Sequence, residues 1–420
     1  MDQKKYNQIL NEEIYIKMLP SGIKCYIIPK KSYVESQAVI TTNFGSTDSK
    51  FSVNDKIFEV PDGVAHFLEH KLFENKKKDI FYEFSKQGAD VNAFTNFTNT
   101  AYYFNCIDNF YDNLELLLEF TSSPHFTDEN IEKEKGIIAE EINMYKDNPF
   151  WEVYLAMLSA MYSNSPVKKN IAGSCESISE ITKELLYDCY NTFYVPRNMA
   201  LVCVGDVDFE KVYEITGKFM SDDKDIPFKR IFDTEPDNIL QNYTEKKMNV
   251  SMPMFNIGFK CKPYGVDVSE DIVTTKLIMD ILCGESSLFF QDLYKRNLLD
   301  APFSLEYTCS NLHATIVFGG SSQEPKKVHQ ALISEIENLT RNGISEQRFQ
   351  QIKRKHLGRY IRSFNNIDAI ATAQVDLFYK NIDLFGIIDS YAKVTLSQLQ
   401  EKLETLFDEN KCVLSVISKV

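Results

Sequence analysis

No run of 18 apolar residues occurs anywhere in the 420-residue chain, so no helical membrane span is expected. No apolar stretch follows the charged start Met1-Asp2-Gln3-Lys4-Lys5-Tyr6, and a secretory signal is not expected either. The nine cysteines, at positions 25, 106, 175, 189, 203, 261, 283, 309 and 412, form no C-x-x-C pair and are odd in number. That argues against a disulfide framework and for reduced thiols in the cytoplasm. Cys203 and Cys283 lie in apolar context and read as core residues. Positive charge is short: 46 Lys and Arg against 60 Asp and Glu leave a net charge of −14. Nucleic acid and anionic membrane are therefore not expected as partners. No short repeat period appears, which excludes a solenoid. Of the six histidines, His125, His313, His329 and His356 have no ligand-like spacing.

The other two stand together in His66-Phe67-Leu68-Glu69-His70. This H-x-x-E-H string is the inverted form of a zinc-binding helix. Apolar residues recur at 64, 67, 68, 72 and 73, which predicts a helix, and Asp62 is the expected N-cap. On that helix His66 and His70 are four apart, with Cβ atoms about 5–6 Å from each other on one face. Two imidazoles so spaced can converge on one zinc ion. Glu69 lies in the same arc, placed to accept a proton from a water at the metal rather than to bind the metal.

Catalytic zinc takes three protein ligands and keeps a position open. The stretch 128–146 supplies a carboxylate. Read as a helix, it aligns Ile131, Glu134, Ile138, Glu141, Ile142 and Tyr145 on one face and puts Glu140 opposite. Acidic groups in an apolar stripe are costly unless paired or metal-bound. Glu141 is the expected third ligand. Glu134, two turns earlier, is expected to act beside it by orienting a ligand or the substrate. Both are also compatible with ordinary salt bridges.

The periodicities divide the chain in two. The first half reads as a strand pair over 12–31 turning at Gly22, a strand at 39–46, and short strands at 91–94 and 101–104. Helices are expected at 81–86, 108–121, 128–146, 151–163 and 178–193, then a strand at 199–204. A polar stretch follows, and 226–246 reads as a linker. The second half repeats the plan: a strand at 248–260, helices at 269–283 and 286–297, strands within 303–320, helices at 325–342, 346–363, 368–378 and 396–408, and a last strand at 413–417. The fold class expected is α+β, helices against mostly antiparallel sheets. Residues 1–225 would form an N-terminal metal-binding domain and 247–420 a related C-terminal one.

The chain resembles the peptidase family of pitrilysin, insulysin and the mitochondrial processing peptidase, and within it a bacterial two-domain subgroup. The resemblance spans nearly the whole chain. It rests on 63–70, on Gly88-Ala89-Asp90-Val91-Asn92-Ala93-Phe94-Thr95 with Thr100-Ala101-Tyr102, on the glutamates seven apart at 134 and 141, and on 194–206. It implies two homologous domains of the processing-peptidase-like (LuxS-like) metallohydrolase fold, closing a chamber, with only the first binding metal. It implies one Zn2+ per chain on His66, His70 and Glu141, with Glu69 as general base. It also implies that a peptide adds as a strand beside 88–95, with Asn92 and Ala93 nearest the metal; Asn92 also reads as a turn residue.

One departure stands out. Many relatives carry an Arg, and a Tyr seven residues later, after a Ser-Ser-x-Leu-Phe stretch, and the pair holds the substrate. After Ser286-Ser287-Leu288-Phe289-Phe290 the matching positions here are Tyr294 and Ala301, or with a two-residue slip Arg296 and Phe303. A related second subunit without the zinc motif is therefore expected, or a homodimer if Arg296 or Tyr307 serves from another register. The implied activity is zinc-dependent endopeptidase cleavage of peptides or small unfolded precursors. The alternatives are a non-catalytic assembly subunit and a dedicated maturase of one ribosomal peptide or precursor.

Overall fold

The computed structural model describes residues 3–74, 79–220, 227–263 and 267–420. The stretch 221–226, which holds the end of the expected first domain, lies outside the described residues. The chain folds into two compact units, and neither is continuous in sequence. Unit 1 comprises residues 1–142, 170–232 and 361–384; unit 2 comprises 143–169, 233–360 and 385–420.

Unit 1 is built on a seven-stranded sheet. Its strands are β1 (Gln3–Asn7), β2 (Glu12–Met18), β3 (Lys24–Pro29), β4 (Ser36–Thr42), β7 (Ala89–Thr95), β8 (Thr100–Cys106) and β9 (Met199–Gly205). The order is β1-β2-β3-β9-β4-β8-β7, antiparallel throughout except for β3 beside β9. Three short strands, β5 (Lys50–Val53), β6 (Lys56–Glu59) and β10 (Phe228–Arg230), make a second sheet. The expected linker 226–246 is thus not structureless, since β10 pairs within unit 1. The central strands β4 and β9 are buried at every position, and β9 accordingly reads as an almost continuous apolar run.

The first five helices are α1 (Val64–Leu72), α2 (Ile80–Lys86), α3 (Phe110–Ser122), α4 (Asp128–Lys146) and α5 (Pro149–Met161). In α1 the side chains of Ala65, Phe67 and Leu68 are fully buried. Each such Phe or Leu contributes about 1.5–3 kcal/mol of burial. Asp62 does not cap this helix. The N-cap is Gly63 at φ +92°, with no side-chain cap. A side chain at Gly63 would strike the Ala172 carbonyl oxygen at 2.4 Å, and one at Gly173 would strike the Asp62 carbonyl oxygen at 2.3 Å. Two glycines therefore let the turn before α1 close on residues 172–173, and Ser177 Oγ donates to the Asp62 carbonyl at 2.8 Å.

Unit 2 holds a five-stranded sheet of β11 (Tyr243–Met248), β12 (Met254–Cys261), β13 (Ser304–Cys309), β14 (Ala314–Ser321) and β15 (Cys412–Lys419), in the order β11-β15-β12-β14-β13. The strand expected over 248–260 starts later, as β12 at Met254 just past Pro253, which lacks a backbone donor, and Met248 instead ends β11. Likewise the helix expected over 178–193 is two, Cys175–Ser179 and Lys183–Phe193, because Ser174 and Thr182 each cap a separate start. Helix α5 lies close on β12: a side chain at Gly258 would meet Met157 Sδ at 2.3 Å. Among the described residues no helix is long and apolar enough to cross a membrane, and the nine cysteines are free thiols.

The helix Val268–Cys283 carries Asp280, which is only 3 % exposed. His356 Nε2 lies 2.7 Å and Lys355 Nζ 2.7 Å from its Oδ2. Burial alone would raise its pKa, but the bonds from His356 and Lys355 outweigh it and hold Asp280 down at about 2, against the ordinary 3.8. A depressed acid stabilises the fold above its unfolded pKa, and the contribution is lost as pH falls through the folded one. Asp280→Asn is expected to cost about 1–3 kcal/mol at neutral pH, because it removes the carboxylate that partly buried Lys355 and His356 are bonded to. Urea unfolding should show the gap between variant and wild type narrowing as pH falls from the ordinary 3.8 toward 2.

Candidate metal centre

The H-x-x-E-H residues all lie on α1, and their partners come from α4 and β7 within unit 1. One turn of helix brings the His66 and His70 rings to 4.6 Å between centroids. Glu141 on α4 faces both: its Oε1 lies 3.5 Å from His66 Nε2 and its Oε2 lies 3.6 Å from His70 Nε2. The ligand atoms of His66, His70 and Glu141 all fall within 4.8 Å of one another. Nitrogen and oxygen donors bound to one tetrahedral zinc at about 2.0–2.1 Å are about 3.3–3.5 Å apart. The donor set therefore fits a zinc site in type, and the two Glu141–histidine separations lie close to that spacing.

The apolar stripe on α4 forms as the periodicity predicts. Ile131, Glu134, Ile138 and Ile142 are buried, Glu141 is partly buried, and Glu140 is exposed. Glu134 Oε1 lies 2.9 Å from His70 Nδ1. With Nδ1 donating its proton there, Nε2 keeps a lone pair toward Glu141. The other side of Glu134 meets Lys71, whose side chain is completely buried. Lys71 Nζ is 3.5 Å from Glu134 Oε2, 3.1 Å from the Asn130 carbonyl and 2.5 Å from Glu74. Burial would push Glu134 up, but the bond from His70 and the charge of Lys71 prevail and its pKa is lowered. For His70 burial pulls the other way, and the carboxylates of Glu134, Glu69 and Glu141 raise it overall.

Glu69 is buried beside the histidines. Thr95, at the end of β7, donates its hydroxyl to Glu69 Oε2 at 2.6 Å and lies 3.2 Å from Thr100 Oγ1. Burial raises the Glu69 pKa, partly opposed by His66, Thr95 and His70. A carboxylate raised toward neutrality suits general base work. Below it the buried Tyr102 and Tyr194 hydroxyls share a bond of 2.8 Å. Sequence reasoning missed the roles of Lys71 and Thr95. Lys71 adjoins the motif and falls within an apolar run, where an unpaired lysine is costly, so that signal was available.

Asn92 and Ala93 lie on β7, the edge strand of the seven-stranded sheet, opposite Tyr103 and Tyr102 of β8. Asn92 is exposed, and its Oδ1 accepts from Ala93 N–H at 2.8 Å. α1 packs against β7. In unit 2, Tyr294 is exposed, Arg296 Nη1 pairs with Asp292 at 2.9 Å, Phe303 is buried in the core, and Tyr307 donates its hydroxyl to Asp271. Arg296 and Tyr307 are thus each engaged with an acid inside unit 2.

Residues 57–174, which contain all five motif carboxylates and histidines, match the model of the insulinase family, peptidase family M16. Residues 180–355 match that of the M16 peptidase inactive domain. An uncharacterized zinc protease of Bacillus subtilis, YmfH, is 38% identical over 99% of this chain and 99% of its own. The chain belongs to the M16 peptidase family. Zinc protease PqqE of Helicobacter pylori is a more distant relative, 24% identical over 78% of this chain and 76% of its own. Among solved structures, an M16-like peptidase of Alicyclobacillus acidocaldarius superposes with a TM-score of 0.93 at 32% identity, covering 97% of this chain and 99% of that one. Pitrilysin shares the fold, with a TM-score of 0.79 at 17% identity over 99% of this chain and 46% of its own.

The geometry makes a prediction for the metal-free chain. NMR titration of the His70 ring should give a pKa above the ordinary 6.5. Glu134→Gln removes a negative partner and should bring it down. An unchanged His70 titration in that variant would refute the pairing.

Proposed function

We propose that the chain is a zinc-dependent endopeptidase that hydrolyses peptides or small unfolded precursors. His66, His70 and Glu141 are the proposed ligands of one Zn2+ per chain, with Glu134 orienting His70. The observation that carries the reading is the convergence of three donor atoms with a buried carboxylate, Glu69, held by Thr95 beside them. Bound there, zinc supplies Lewis acidity to water and to a scissile carbonyl. Glu69 takes up the proton of the attacking water while Thr95 holds its Oε2, and returns the proton to the leaving amine. The outer edge of β7, with Asn92 and Ala93, accepts an extended peptide by backbone pairing, which sets register without demanding one sequence.

The sequence halves 1–225 and 247–420, joined by 226–246, are read as a metal-binding half and its related inactive half, although packing places 143–169 in unit 2 and 361–384 in unit 1. Because Tyr294 and Ala301 stand where relatives carry the substrate-holding Arg and Tyr, a second related subunit without the zinc motif is proposed to complete the machinery. Nine free thiols support a reducing, cytoplasmic setting.

Mass spectrometry of a mixed peptide pool tests the reading. The zinc-loaded chain should cleave it, and Glu69→Gln should reduce cleavage by about 100-fold or more while retaining its zinc. A chelator should abolish cleavage and added zinc should restore it. Equal cleavage by Glu69→Gln would sink the proposal. No cleavage by a folded, zinc-loaded chain would mean that a partner is required or that the role is non-catalytic, and cleavage by the chain alone would remove the need for a partner.

A further inference from the structure

One buried ion pair of unit 1 has no part in the reaction as drawn above. Arg230, at the end of β10, sets its guanidinium across both ends of the segment 43–48. Nε donates to Asp48 Oδ1 at 2.6 Å, and Nη2 donates to the Asn43 carbonyl. Asp48 is only 3 % exposed, and its Oδ2 accepts from Gly45 N–H at 2.9 Å. The guanidinium also lies 5.4 Å from the ring centroid of Phe193 and 5.1 Å from that of Phe228. Ile231 N–H, next in the chain, donates to the Lys50 carbonyl at 2.9 Å. A planar fork of donors can hold two acceptors and stack on rings at once, which a lysine ammonium cannot do.

The segment so clamped carries the turn between β7 and β8. Ser46 N–H donates to the Asn96 carbonyl at 3.1 Å, and Thr47 N–H to the Phe97 carbonyl at 2.9 Å. Thr47 Oγ1 donates to that same carbonyl at 2.6 Å. A side chain at Gly45 would lie 2.5 Å from the Phe97 carbonyl and the Thr98 nitrogen, so the two backbones touch. Thr100 Oγ1 donates to the Phe44 carbonyl at 2.8 Å. Thr100 pairs with Thr95 across the strands, their hydroxyl oxygens 3.2 Å apart, and Thr95 donates to Glu69 at 2.6 Å. All of these residues belong to unit 1. A buried ion pair is weak evidence for stability alone, since apolar residues of similar volume often serve as well. Apolar residues would not supply the directed bonds that fix both ends of 43–48.

We propose that Arg230 is a positioning residue for Glu69. By clamping Asn43 and Asp48 it fixes 43–48, the turn 96–99 resting on it, and so the Thr95 hydroxyl that holds the carboxylate. The proposal deepens the peptidase reading by adding to its machinery a residue from the stretch 226–246. It rests on that reading only for the effect on turnover.

Hydrogen exchange of the full-length chain, read by mass spectrometry, tests the clamp without turnover. Arg230→Met should speed exchange in peptides covering 43–48 and 95–100 about tenfold and leave α1 at the wild-type rate. In the peptide-pool assay the same variant should lower kcat about 10- to 100-fold, with KM and bound zinc unchanged. Added to Thr95→Val, it should cost less than about twofold more, because both act through one bond. Arg230→Lys keeps the charge without the fork and should fall between, and it carries the test should Arg230→Met not fold. Unchanged exchange at 43–48 and 95–100 would overturn the proposal. Faster exchange throughout unit 1 would do so too, marking a merely structural pair, as would losses of Thr95→Val and Arg230→Met that multiply in full. A chain that cleaves nothing bears on the peptidase reading alone. The exchange rates still decide the clamp, so the two failures are distinguishable.

Discussion

The centre depends on a carboxylate that α4 buries in an apolar stripe. Glu134 sits among Ile131, Ile138 and Ile142, where an unpaired charge would cost several kcal/mol. Lys71, fully buried, and His70 compensate it from α1. The same arrangement selects which nitrogen of His70 is protonated and turns the other toward Glu141, one further two-turn step along α4. Packing and electrostatics are therefore not separable here. The ion pairs that make the helix–helix contact tolerable are the ones that aim the donor atoms.

A second connection runs from α1 to the sheet. Thr95 closes β7 and holds Glu69, so a single hydrogen bond ties the group proposed as base to the strand whose edge is proposed to hold a peptide. A peptide paired along β7 would be fixed relative to Glu69 by the strand itself rather than by a loop, which is how a site reaches reproducible geometry. Gly63 and Gly173 serve that geometry from the other end, since only their lack of a Cβ allows the chain beside α1 to close on 172–173.

Much of this was legible in the sequence, because its signals are local. Spacing of four put His66 and His70 on one face, and spacing of seven put Glu134 and Glu141 on another. What was illegible is non-local. Thr95 is 26 residues from Glu69, and nothing in either segment announces their bond. Asp62 looked like a cap by residue type, but tertiary closeness to residues 172–173 required a glycine at the cap instead. The assignment of 143–169 to unit 2 and of 361–384 to unit 1 follows from packing between distant segments, which no periodicity encodes.

X-ray absorption at the zinc edge of the purified chain tests the central claim most directly. The account predicts a four-coordinate ion with only nitrogen and oxygen scatterers at about 2.0–2.1 Å, two of them imidazole, and loss of that signature in Glu141→Ala. Sulfur scatterers at about 2.3 Å would place the metal on cysteines and contradict it. An imidazole signature unchanged in Glu141→Ala would contradict the ligand set.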